Sequence, residues 1–172
     1  MLVLLENIRS KFNVGAIFRT AEAFAFEKII LTGFTPQLPD KEISKTALGA
    51  EEFLSWQYRQ NAAEAIKELK SQGVIIIAAE LDERAVKIQH ITVDPRLRGD
   101  DNRADKNLNK QCIILGNEIN GVSKEVLDLA DIIVEIPMLG KVKESLNVEV
   151  AFGIIAAFLC FIPNQNKSIP SS

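Results

Sequence analysis

An α/β fold, with a mostly parallel sheet flanked by helices, is what this sequence predicts, and three observations predict it. The strand-like segments, among them LVLL, VIIIAA and QCIIL, are short continuous apolar runs, too apolar for a sheet with one face in water. They alternate along the chain with helical stretches, the order expected of strands joined by crossover helices. The stretch from Ile136 to Phe161 then opens on Pro137, which stops a strand, and runs through a loop holding Gly140, Lys141, Lys143, Glu144 and Ser145. It ends as a long apolar helix. A loop that feeds a helix N-terminus offers unpaired N–H groups, and in open α/β sheets ligands collect at the carboxyl ends of strands.

The elements follow in order. Leu2 to Leu5 reads as a buried strand. After the polar IRSKF, Asn13 is a good N-cap, and Val14, Ile17, Phe18, Ala21 and Phe24 or Ala25 fall on one helical face, with Arg19 and Glu22 on the other. Lys28 to Gly33 is the second strand, followed by a proline-bearing loop and a short helix over Lys41 to Leu48. Phe53 to Tyr58 reads as an edge strand whose Trp56 belongs to core or interface. Asn61 with Glu64 makes a capping box, Ala62, Ile66 and Leu69 form an inner stripe, and Gly73 closes that helix. Val74 to Ala79 and Gln111 to Leu115 are buried strands. Ser123 caps a short helix to about Ala130, Asp131 to Ile136 is the last strand, and the final helix runs from about Asn147 to Phe161. That helix carries no charge after Glu149, so the sheet and a second helix, or another subunit, must cover it.

Between Leu81 and Lys110 the pattern breaks down. DPRLRGDDNRADKNLNK is dense in charges of both signs and has no periodic apolar face, as expected of an exposed insertion at 94–109. Its DPRLRGDD core resembles the peptide translated from palindromic repeats that insert into some bacterial genes. The rest, 1–162, reads as one domain with a flexible tail at 163–172.

Bulk properties exclude several classes. With 172 residues, 47% of them hydrophobic, the chain suits a single soluble domain, and a net charge of −3 argues against coating nucleic acid through bulk charge. Cys112 and Cys160 lie far apart in apolar runs and read as buried free thiols of a reducing compartment. No leader or membrane span is visible, so the expected location is cytoplasmic. His90 is the lone histidine, which disfavours a metal site and any histidine-based triad. Neither a G-x-G-x-x-G after the first strand nor a P-loop is present.

Three motifs remain, each weak by itself: Asn13-x-Gly15-x3-Arg19-Thr20-Ala21, Leu115-Gly116-Asn117-Glu118-x2-Gly121, and Ile136-Pro137-Met138 with Ser145-Leu146-Asn147-Val148. In this order and spacing they closely resemble the signature motifs of the SpoU-type RNA 2′-O-ribose methyltransferases, from the superfamily with a C-terminal trefoil knot. The resemblance spans Leu2 to about Phe161. It implies S-adenosylmethionine as cofactor, held at Leu115, Gly116, Ile136, Met138, Ser145 and Leu146, largely through backbone groups.

The resemblance also implies that Arg19 is the central catalytic residue, acting on a ribose 2′-hydroxyl of transfer or ribosomal RNA. A guanidinium is a poor base, so a clamp on the adjacent phosphate and stabilisation of the forming alkoxide suit it better. Glu118 would orient or pair with Arg19, while Asn13, Ser145 and Asn147 would position the substrate and shape the loop. For Asn13 and Asn147 a helix N-cap is the plainer role. A homodimer is implied, with Arg19 of one chain beside the cofactor of the other and no metal. Because the chain starts at the first strand, target choice would fall to the dimer surface. Arg9, Lys11, Lys41, Lys45, Lys141 and Lys143 are candidates for phosphate contact or plain surface charge. A non-catalytic RNA-binding homodimer and a base-methylating knotted enzyme are the alternatives.

Overall fold

The computed structural model describes residues 1–91, 110–142 and 145–161. The insertion at 94–109, the tail at 163–172, and Lys143 with Glu144 lie outside the described residues. Seven strands form one sheet: β1 Leu2–Glu6, β2 Lys28–Thr32, β3 Ser55–Arg59, β4 Ile75–Ala79, β5 Val86–Lys87, β6 Gln111–Leu115 and β7 Ile132–Glu135. Their order is β3-β2-β1-β6-β4-β7-β5, and every pairing is parallel. The helices are α1 Lys11–Ala23, α2 Lys41–Ala47, α3 Ala50–Phe53, α4 Ala62–Ser71, α5 Lys124–Leu127 and α6 Val148–Phe161. None of the described helices is long and apolar enough to cross a membrane.

Burial on both faces explains the continuous apolar strands. Val3, Leu5, Ile29, Leu31, Ile113 and Leu115 point to one face, where Val14, Ile17 and Phe18 of α1, Ile43 of α2, and Phe152 and Ile155 of α6 pack on them. Leu4, Ile30, Ile76, Ala78, Cys112 and Ile114 point to the other, under Ile66 and Leu69 of α4 and Val126 of α5. The alternation is the two-residue side-chain period of a strand, filled on both sides. Gly15 lets α1 lie close on α2: a Cβ there would come within 2.0 Å of Thr46 Oγ1 and 2.2 Å of the Ile43 carbonyl oxygen.

Several expectations need correction. Ser10, not Asn13, caps α1: its side chain accepts from the Asn13 amide at 3.2 Å, so the helix starts one turn earlier and Asn13 sits inside its first turn. At the other end the helix stops at Ala23, and Ala25 turns away with φ 54°. Phe53 closes α3 and is exposed instead of opening β3, whose edge position is as expected. Within the stretch read as patternless, Val86–Lys87 adds a short strand beside β7, and Ile88–His90 forms a 3-10 turn. Cys112 is buried, but Cys160 is exposed near the end of α6, where no described element covers the outer face.

That outer face is the other notable feature of α6. Phe152, Ile155 and Ala156 are buried, whereas Val150 and Ile154 are 44% and 39% exposed. The helix follows β7 yet packs on α1, whose neighbouring strand β1 lies three positions away in the sheet. Phe152 meets Phe26 edge-on at 5.2 Å, and Phe161 reaches Phe24 at 5.7 Å.

Candidate active site

The carboxyl ends of β4, β6 and β7 converge with the loop before α6 on a cleft of about 380 Å³. The loop after β6 is built first by Asn117. Its backbone exchanges two hydrogen bonds with Gly121, and its Oδ1 accepts from the Ile119 and Asn120 amides at 2.9 and 3.0 Å. Its Nδ2 donates to the Asn7 carbonyl at 2.7 Å, tying the loop to the end of β1. Buried Glu6 adds a second tie, accepting from both the amide and the hydroxyl of Ser123.

This closed loop aims Glu118 at the start of α1. One carboxylate oxygen accepts from the Arg9 amide at 2.9 Å, the other from the Ser10 amide at 3.0 Å and Asn13 Nδ2 at 2.9 Å. An anion here answers unpaired N–H groups and the positive end of the helix dipole. Burial pushes the Glu118 carboxyl up, but these hydrogen bonds together outweigh it and hold the group below its ordinary value.

Asn13 extends the chain of bonds. Its Oδ1 accepts from Asn147 Nδ2 at 3.1 Å, and Asn147 Oδ1 in turn accepts from the Glu149 amide at 2.9 Å, capping α6. One residue from each of the three motifs thus joins a single hydrogen-bonded chain. It fixes the starts of α1 and α6 against the loop after β6.

Leu115, Gly116, Ile136, Met138, Ser145 and Leu146 all line the cleft, with Glu118 and Asn147. Arg19 does not. It is exposed on α1, with no hydrogen bond or ion pair among the described residues, and Glu118 turns to Arg9, Ser10 and Asn13 instead of pairing with it. Six residues along a helix from Asn13 is about 240° round the axis, so the two side chains leave α1 on different faces. Lys11 is committed to Asp40 at 2.8 Å and Glu42 at 3.3 Å, whereas Arg9, Lys41, Lys45 and Lys141 are exposed. Sequence reasoning missed Asn117, Glu6 and Glu80. For Glu80 the available signal was a carboxylate directly after a wholly apolar strand.

The chain is similar to known proteins in both sequence and fold. Residues 1–157 match the model of the SpoU rRNA Methylase family. The chain is 31% identical over 155 residues to a tRNA (guanosine(18)-2′-O)-methyltransferase of Escherichia coli, covering 90% of this chain and 60% of that one. To a 23S rRNA (guanosine-2′-O-)-methyltransferase of Neisseria meningitidis it is 29% identical, covering 90% and 56%. It therefore spans little more than half the length of these curated relatives. Among solved structures, an AdoMet-bound rRNA methyltransferase from Sinorhizobium meliloti superposes with a TM-score of 0.78 at 25% identity, covering 92% of this chain and 54% of that one.

Proposed function

Because the chain belongs to the SpoU rRNA methylase family, we propose that it transfers a methyl group from S-adenosylmethionine to a ribose 2′-hydroxyl of transfer or ribosomal RNA. The observation that carries this reading is the cleft itself, where all six positions expected to hold the cofactor meet beside the chain from Glu118 through Asn13 to Asn147.

The residues present fit the cofactor in charge as well as shape. The described lining side chains include Glu80, Glu118 and Glu135 but no lysine or arginine, so the cleft favours a cation over a phosphate-bearing nucleotide. Leu115, Ile136 and Leu146 offer an apolar wall, and its volume is in the range of small-molecule sites, about 300–1,000 Å³. When bound, the sulfonium supplies an activated methyl group that carries its own leaving group.

What remains for the chain is to align a weak nucleophile, favour loss of its proton and stabilise the developing charge. Arg19 takes the last task, clamping the adjacent phosphate through its fork of N–H donors. Glu118, Asn13 and Asn147 keep the walls of the cleft in register, and Ser145 positions the substrate.

Arg19 stands away from its own chain's cleft, which supports a site completed by a second subunit. The exposed apolar face of α6 at Val150 and Ile154 supports the same homodimer. The return of α6 from β7 to α1 supports the C-terminal trefoil knot. Such work on RNA suits a cytoplasmic protein.

The test is incubation with methyl-labelled S-adenosylmethionine and unmodified transfer or ribosomal RNA. Label should enter one RNA class; label in neither, with no cofactor bound, would support the non-catalytic alternative.

A further inference from the structure

The polar side chains of the cleft differ in how far their bonding is used inside the protein. Asn117 is spent on its own loop and on Asn7, Glu118 on the start of α1, and Asn147 on Asn13 and its cap. Glu80, the residue after β4, is fixed but not exhausted. One carboxylate oxygen accepts from the Leu81 amide at 2.9 Å and the other from the Val122 amide at 2.6 Å. Gly121 makes room for it, with φ 68° and a position where a Cβ would lie 2.1 Å from Oε2. The result is a half-buried, acceptor-only group on the cleft wall, locked in one orientation, with a lone pair left on each oxygen. Glu135, one strand over at the end of β7, also lines the cleft, but no hydrogen bond holds its carboxylate among the described residues.

We propose that Glu80 receives the vicinal ribose hydroxyls of the nucleoside bound in this cleft. The proposal rests on the reading that the ligand is S-adenosylmethionine. Two neighbouring hydroxyls present two donors, and a carboxylate presents two acceptor oxygens in one plane, so the pair forms charge-assisted hydrogen bonds. An acidic residue is also how dinucleotide-binding α/β folds hold a ribose hydroxyl. Because the Leu81 and Val122 amides already hold it in place, Glu80 loses little side-chain freedom on binding.

The experiment is calorimetric titration of the full chain and of Glu80→Gln with S-adenosylhomocysteine and with its 2′-deoxy and 3′-deoxy forms. Wild type should lose about tenfold in affinity for at least one deoxy form, the size of a hydrogen bond to a charged group. Glu80→Gln, which keeps the shape and one acceptor oxygen, should bind the parent compound more weakly yet barely distinguish it from that deoxy form. Equal losses in both proteins, or no loss in wild type, would overturn the proposal and leave Glu80 as a loop tie. Melting curves of the two proteins separate lost folding from lost recognition. Failure of wild type to bind S-adenosylhomocysteine at all would instead overturn the cofactor reading, and this proposal with it.

Discussion

Replacing Glu118 by alanine tests the hydrogen-bonded chain that joins the three motifs. The substitution removes three hydrogen bonds, from the Arg9 and Ser10 amides and from Asn13 Nδ2. It also removes the anion at the start of α1. Hydrogen bonds to a charged group contribute about 1.5–3 kcal/mol each when buried, but this carboxylate is exposed and water can replace it at the amides. A total loss of about 2 kcal/mol is therefore expected, measured as a lower urea midpoint at unchanged slope. The pH dependence has a definite sign. The folded-state value lies below the ordinary 4.5, so the contribution of Glu118 is complete above that value and is lost as pH falls through the lower folded one. The gap between wild type and Glu118→Ala should thus be full at neutral pH and narrow in acid. A neutral-pH difference under about 0.5 kcal/mol, typical of plain surface substitutions, would refute the reasoning.

Other outcomes follow from the same geometry. Gly15→Ala forces a methyl against Thr46 and the Ile43 carbonyl, and should cost about 1–3 kcal/mol in urea unfolding by parting α1 from α2. Cys112, whose thiol burial pushes up to about 12, should react with a thiol reagent only on unfolding. Deletion of roughly Asp94 to Lys106 should leave the melting temperature and methyl transfer largely unchanged, and loss of either would contradict the insertion reading.

The strands were legible because both faces of the sheet are buried, which writes itself as unbroken runs such as Ile113 and Ile114 beside Cys112. The start of α1 was not, because Ser10 and Asn13 are both good caps and only backbone geometry chooses between them. Two residues are too few for β5 to show a period. At the site, the second and third motifs located the cleft, since each begins where a strand ends, at β6 and at β7. The bond from Asn13 to both Glu118 and Asn147 depends on loops more than a hundred residues apart meeting, and no local pattern encodes that. Glu80 showed only as a carboxylate directly after an apolar strand, and its partner amide at Val122 belongs to a different loop. Within one chain Arg19 and Glu118 do not pair, because Arg19 leaves α1 on a different face from Asn13, and motif order does not give that face.

The most direct test of the account takes the RNA labelled from S-adenosylmethionine and hydrolyses it in alkali, with Arg19→Ala run alongside. A methyl on the ribose blocks cleavage at that nucleotide, so label is expected in alkali-resistant dinucleotides, and Arg19→Ala should transfer almost none while still binding the cofactor. Label recovered in mononucleotides would contradict ribose methylation and point to a base, and undiminished transfer by Arg19→Ala would remove the arginine from the mechanism.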